Sequence, residues 1–230
     1  MEKILQKKFE QKSNETTEAG IPFYVFSKER SKSRGIFKDH FKLPIINSHH
    51  FLVTDLKDEF NSVLDVGATD RRWKKRIEKR WPGIHYFSCD LDQTNYHNYY
   101  SWEQIDREFD LVLCIEILEH LSAEKAFELV KLSSSICKPG GYILFTVPNV
   151  YTPGIQLEFT HQTAYGINDI GGLCLLSGLN IISGARIFTK SARHQIVHKY
   201  FFYWLHRLLR IDFCQSIALL LRKPELNKKL

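Results

Sequence analysis

The sequence has no CxxC pair and no Cys/His run at ligand spacing; its five cysteines, Cys89, Cys114, Cys137, Cys174 and Cys214, are scattered and odd in number. A disulfide framework or a zinc module is therefore not expected, and the cysteines read as reduced residues of a cytoplasmic protein. His49 and His50 are adjacent, but no matching Cys or His surrounds them, so no metal site is predicted. The opening MEKILQKKF is charged and lacks an apolar stretch with a small-residue cleavage site, which argues against a secretory signal. A GxGxxG fingerprint is also missing, and with it the main reason to expect a nicotinamide oxidoreductase. Internal repeats and low-complexity tracts are absent.

What is present is an ordinary globular composition. The 230 residues are 43% apolar and 25% charged, enough for one domain with a real core. The formal net charge of +6 suits an acidic partner such as a phosphorylated substrate, a membrane surface or nucleic acid, or simply a solvated basic surface.

Residues 1–20 show no apolar period and read as a frayed or partly helical lead-in. From Asn61 onward, apolar bursts alternate with helical stretches. NSVLDVGA reads as a buried strand, and RRWKKRIEKRWPG as a helix from about Arg71 with Trp73, Ile77 and Trp81 every fourth residue, stopped by Pro82 and Gly83. IHYFSCD is a second strand, and FDLVLCIEIL is a continuous apolar run of the kind a strand covered on both faces requires. Ser122 is placed to cap a helix reaching Cys137, after which GYILFTVP forms another strand. Asn168 is a candidate cap for a helix to Ser177, LNIISGARIF reads as a strand, Ser191 to Arg210 as one long helix, and SIALLLRKP as the last strand. Parallel neighbours need crossover connections, so this alternation predicts an α/β sheet.

Two stretches carry chemistry. At Val63 to Asp70 a strand runs into a turn where Gly67 lets backbone approach a ligand, and a helix start beyond it favours an anionic group. Asp90 ends the next strand, 25 residues after Asp65, and a carboxylate there can accept both hydroxyls of a ribose.

VLDVGATD, CDLD, FDLVLCIEILEHL, CKPGGYILFTVPN and SIALLLRKP together resemble, in order and spacing, the class I S-adenosylmethionine (SAM) dependent methyltransferases, over about residues 60–224. The resemblance implies a Rossmann-like, seven-stranded, mostly parallel sheet with an antiparallel last strand and helices on both faces. It also implies SAM as cofactor and S-adenosylhomocysteine as product. Asp65 and the turn Gly67, Ala68, Thr69 would then meet the methionyl end, Asp90 with Leu91 the ribose, and Cys114, Ile115 and Glu116 the strand end under the cofactor, where main chain commonly contacts the methionyl amine. Thr69 and Arg71 stand where the family usually has glycines. Only 18 residues separate Asp90 from Phe109, so the second helix must be shortened or missing, leaving QTNYHNYYSWEQI to supply the third strand and Asn98 to read the adenine amine.

Methyl transfer from a sulfonium needs an acceptor held in line in a dry site, and a hydroxyl acceptor also gains from a base. The segment Asn149 to Tyr165 contains His161, and His120 follows Glu119; either imidazole, with an ordinary pKa of about 6.5, is a candidate base. The Ser191 to Arg210 stretch is apolar on one face and basic elsewhere, as suits sheet packing, a homodimer seam, or contact with a membrane or lipid-like substrate. The expected organisation is a lead-in and lid over residues 1–45, with Ile21 to Phe41 folding over the site, and a methyltransferase domain over 46–230. The expected activity is methylation of a small molecule at a hydroxyl, such as a natural product, sugar or lipid. RNA or protein methylation is the alternative within enzymes, although no nucleic-acid module is visible. A catalytically inactive SAM-fold binding protein is the alternative outside them.

Overall fold

The computed structural model describes residues 16–154 and 158–225. The predicted lead-in therefore lies outside the described residues up to position 15. Strands β1 (Ile45–Ile46), β2 (Ser62–Val66), β3 (His85–Cys89), β4 (Phe109–Ile115), β5 (Cys137–Pro148), β6 (Asn180–Ile187) and β7 (Ser216–Arg222) form one seven-stranded sheet in the order β1-β6-β7-β5-β4-β2-β3. β7 runs antiparallel to both β5 and β6, and every other pairing is parallel. Seven helices accompany the sheet among the described residues: α1 (Phe23–Phe37), α2 (Phe51–Thr54), α3 (Lys74–Arg80), α4 (Ala123–Ile136), α5 (Ile167–Leu176), α6 (Ala192–Ile196) and α7 (Tyr203–Leu209).

β4 shows why its text is apolar without a break. Val112 and Cys114 face a core that includes Leu129 and Val130 of α4, Ile170 of α5 and Phe37 of α1. Leu111, Leu113 and Ile115 face the opposite core, with Val53 of α2 and Ile77 of α3. Successive side chains point to opposite sides of a strand, so both sets must be apolar when helices cover both faces. At the head of α4, Ser122 Oγ accepts from the Lys125 N–H at 3.4 Å, the cap expected from sequence.

The third strand expected over residues 93–105 is not formed; a single bridge between Cys89 and Tyr99 remains there, with one turn of 3-10 helix at Trp102–Gln104 where the second helix would stand. The seventh strand is β1 instead, pairing with β6 at the far edge, so the boundary set between 45 and 46 runs through a strand. Asn168 does not cap α5. Gly166 holds the N-cap, and its N–H donates to the Asp169 carboxylate at 3.1 Å. The predicted helix over 191–210 is broken into α6 and α7 by a π turn at Val197–Phe201.

α1 packs along α5 rather than across the carboxyl ends of the strands. A Cβ on Gly172 would come within 3.0 Å of the Arg30 backbone, so the paired glycines Gly171 and Gly172 set the close approach, and Arg30 bonds Asp169 beside it. The start of this segment, Thr17 to Phe26, reaches Tyr165, but none of residues 21–41 lines the cleft described below. The expected lid is thus a helix bound to the flank of the sheet.

Candidate functional site

The turn after β2, the end of β4, the loop after β5 and the start of β7 meet at the carboxyl end of the parallel strands, where open α/β sheets bind ligands. They enclose a cleft of about 540 Å³ lined by Gly67, Ala68, Thr69, Ile115, Glu116, Glu119 and His161 among others. That is the size of a small-molecule or cofactor site.

The turn is built on backbone. Gly67 has φ of +71°, the left-handed backbone that favours glycine, and a Cβ there would push aside Ile117 Cδ1, 2.7 Å away. Thr69 and Arg71 adopt left-handed φ of +48° and +55°, so the glycine-type path is kept by residues that bear side chains. Thr69 N–H donates to Asp90 Oδ2 at 2.7 Å and Asp92 N–H to Oδ1 at 3.0 Å, which clamps the turn to the end of β3. Each Asp90 oxygen keeps a lone pair for a further donor. The predicted helix start at Arg71 falls three residues early: Thr69 to Trp73 form turns, and α3 begins at Lys74.

Past the cleft wall, Glu116 also has left-handed backbone, φ +52°, and its N–H is tied to the Thr146 carbonyl at 3.0 Å. Its Oε2 accepts from Ser216 Oγ at 3.2 Å, whereas buried Oε1 has no hydrogen-bond partner and sits 3.8 Å from His49 Nε2. Burial raises its pKa to about 7. Glu119, with a side chain 3% exposed, leaves Oε2 unpartnered as well. Burial, and after it the neighbouring Glu116 charge, raise the Glu119 pKa to about 8. His120 Nε2 lies 3.9 Å from Glu119 Oε1, and its Nδ1 lies 3.4 Å from the Thr160 carbonyl. His161 Nε2 is 3.5 Å from Glu158 Oε2, and the His120 and His161 rings meet edge to face with centroids 5.0 Å apart.

This second cluster is pinned. Gln162 and Thr163 donate their N–H groups to the Glu119 carbonyl at 2.7 and 3.2 Å, and Gln162 Nε2 donates to the His120 carbonyl at 2.8 Å. The loop carrying His161 is thereby stitched to the turn carrying Glu119 and His120, 41 residues earlier in the chain.

Several sequence assignments move. The Asp65 carboxyl is buried in the sheet, accepts from the Tyr86 hydroxyl and does not line the cleft; strand alternation turns it toward the α3 side. Asn98 Oδ1 accepts from the Ser88 N–H at 3.1 Å, bracing β3 rather than facing the cleft. Cys114 is fully buried with Sγ 3.5 Å from Ser133 Oγ, burial pushes its thiol up to about 12, and it does not line the cleft, whereas Ile115 and Glu116 do. Leu91 is exposed beside Asp90. His49, Gln215 and Ser216 line the cleft without having been singled out for it. No local signal marks them, because β1 and β7 bring them in from distant parts of the chain.

The Ser191 to Arg210 stretch does not bury its apolar face. Tyr200, Phe201, Trp204 and Leu208 are each about two-thirds exposed. Between Lys190 and Arg210 the chain carries five Lys or Arg and no Asp or Glu. It joins β6 to β7 at the cleft end of the sheet. No helix among the described residues is long and apolar enough to cross a membrane.

A family model described as a methyltransferase domain matches residues 39–186, well over half of the chain. Comparison with curated proteins gives no match. Among solved structures, a SAM-dependent methyltransferase from Archaeoglobus fulgidus matches with a TM-score of 0.53 at 17% identity, covering 95% of this chain and 99% of that one. An O-methyltransferase family protein from Burkholderia thailandensis matches with a TM-score of 0.54 at 14% identity, over 87% of this chain and 58% of that one. The N-methyltransferase NodS from Bradyrhizobium japonicum gives 0.52 at 12% identity, over 88% and 98%. At such identities these likenesses establish the fold.

Proposed function

The chain belongs to the class I SAM-dependent methyltransferases, and from that premise we propose that it transfers the methyl group of SAM to the hydroxyl oxygen of a small, lipid-like acceptor. One observation carries the reading: a single cleft joins the cofactor-type turn at Gly67 to Thr69 with the pinned Glu119, His120 and His161 cluster.

The residues present fit the cofactor. Gly67, Ala68 and Thr69 of the left-handed turn line the cleft, and the unpartnered Glu116 Oε1 supplies a buried acceptor for an ammonium group. Asp90, at the end of β3, would hold the ribose hydroxyls with its remaining lone pairs. SAM bound there supplies an electrophilic methyl group on a sulfonium centre. The chain's own part is to hold the acceptor in line, exclude water and take up the hydroxyl proton. His120 and His161 present imidazole nitrogens at the acceptor end of the cleft, and Thr160 and Glu158 orient them. The basic, aromatic surface of residues 190–210 favours a lipid-like acceptor, with a membrane surface or a second copy of the chain as its other possible partners. Thr69 and Arg71 keep the glycine-type path, which favours the catalytic reading over an inactive binding protein.

Titration calorimetry with SAM and with S-adenosylhomocysteine, on wild type and Asp90→Ala, tests the cofactor site. Binding by wild type that is lost in a folded Asp90→Ala variant supports it, and a screen of hydroxylated sugars, natural products and lipids for S-adenosylhomocysteine release then identifies the acceptor. A folded wild type that binds neither ligand would overturn the reading in favour of an inactive relative.

A further inference from the structure

Glu119, His120 and His161 each offer one ligand atom, and these atoms lie within 4.8 Å of one another. We propose that they bind one divalent first-row transition ion, such as Zn²⁺, Mn²⁺ or Co²⁺, at the acceptor end of the cleft, with Glu158 completing the set.

Three observations support a site rather than a chance meeting. First, the donor types are right. Two imidazoles and one or two carboxylates make the mixed nitrogen and oxygen set that suits ions of borderline softness. Bonds of about 2.1 Å put ligand atoms up to about 4.2 Å apart, so small side-chain rotations close the set around an ion. Second, Glu119 Oε2 is buried without a hydrogen-bond partner, and so is Oε1 of Glu116 nearby. Two unpartnered carboxylate oxygens in one pocket leave acceptor capacity that an ion can take up, and among the described residues lining this cleft there is no Lys and one Arg, Arg72. Third, the outer partners are in place. The Thr160 carbonyl lies against His120 Nδ1, which directs Nε2 of that ring toward Glu119, the arrangement that fixes a ligating imidazole. The hydrogen bonds from Gln162 and Thr163 to the Glu119 and His120 carbonyls hold the two halves of the set in register.

The ion's purpose rests on the methyl-transfer reading, although its binding does not. An acceptor hydroxyl in an open coordination position would be held beside the cofactor turn and made acidic enough to lose its proton to solvent, so the two imidazoles, bound as ligands, would no longer be needed as the base proposed for the metal-free cleft.

The test uses the chelator-treated full chain, titrated with Co²⁺ and followed by visible absorption and calorimetry, with SAM binding measured separately. The proposal expects one Co²⁺ per chain and visible bands of a nitrogen-containing site. Glu119→Gln, His120→Gln and His161→Gln should each weaken binding at least ~10-fold, since losing even an outer partner of a ligand costs that much. Melting curves recorded in EDTA verify that the variants fold. SAM binding without any Co²⁺ signal, or variants that bind Co²⁺ as tightly as wild type, would overturn the ion site and leave the methyltransferase reading standing. Co²⁺ binding at these residues in a chain that fails to bind SAM would do the reverse.

Discussion

Replacing Asp212 with alanine should be among the most damaging single changes in the molecule. Its carboxylate is fully buried and accepts from Arg186 Nη1 at 3.1 Å, His40 Nε2 at 2.8 Å, Asn149 Nδ2 at 2.9 Å and the Phe213 and Cys214 N–H groups at 2.8 and 3.3 Å. Arg186 spends its other N–H groups on the Phe41 and Leu43 carbonyls, so this one network ties the chain before β1 to β5, β6 and the lead into β7. Burial works against ionisation of Asp212, but the His40 hydrogen bond and the Arg186 charge outweigh it and hold its pKa well below the usual range. Removing the carboxylate strands a buried guanidinium, a change that typically costs about 3–5 kcal/mol, out of a total stability of about 5–15 kcal/mol. Urea unfolding at pH 7 should show that loss, and Asp212→Ala combined with Arg186→Met should lose clearly less than the two single changes added together. The wild type should also lose this contribution as pH falls below about 4, because the folded state keeps Asp212 ionised to lower pH than the unfolded chain does. A loss under 1 kcal/mol, or strict additivity, would refute the network as a source of stability.

Other perturbations test separate parts of the account. Burial raises Asp65 to about 7, so between about pH 4 and 7 the folded state binds the extra proton. Stability should therefore fall as pH rises through that window, by at most about 1.4 kcal/mol per pH unit, and Asp65→Asn should flatten the slope of urea midpoints; an unchanged slope would remove Asp65 as its cause. Gly67→Ala meets the left-handed backbone, while the Ile117 tip it would touch can rotate away, and should lower stability by roughly 1–2 kcal/mol, a Tm drop on the order of 5 °C by differential scanning fluorimetry. An unshifted Tm would mean that the turn is looser than drawn. Phe201→Ala with Trp204→Ala should cut co-sedimentation with anionic vesicles several-fold while leaving the melting curve in place; equal binding would direct attention to a dimer, which sedimentation velocity would reveal.

The parts of this fold legible in sequence were those set by short-range pattern. The apolar run of β4 and the Ser122 cap of α4 follow from local periodicity and caps, whereas the antiparallel setting of the last strand was implied by the family resemblance and not by its residues. What escaped was decided by partners far away in the chain. Tyr99 retains one bridge to Cys89 while β1, only two residues long, becomes a strand because β6 offers an edge. The site divided in the same way. The turn at Gly67 was legible and lines the cleft, but Asp90 stands behind it holding the Thr69 N–H, strand alternation took Asp65 into the core, and Asn98 was drawn to the Ser88 backbone. The absence of ligand spacing correctly described the sequence, yet β5 and its following loop bring His161 back to Glu119 and His120.

The position of β7 has a consequence for how the cleft is completed. The seventh strand in chain order fills the middle of the sheet, with β5 on one side and β6 on the other. Until β7 is in place, β5 and β6 each present an unpaired edge, and open edges invite pairing with other chains. Both cores take residues from β7, Ile217 and Leu219 on one face and Ala218 and Leu220 on the other, and Gln215 and Ser216 reach the cleft only with β7 in place. The cleft is therefore incomplete until β7 lies between β5 and β6, two strands that do not pair with each other.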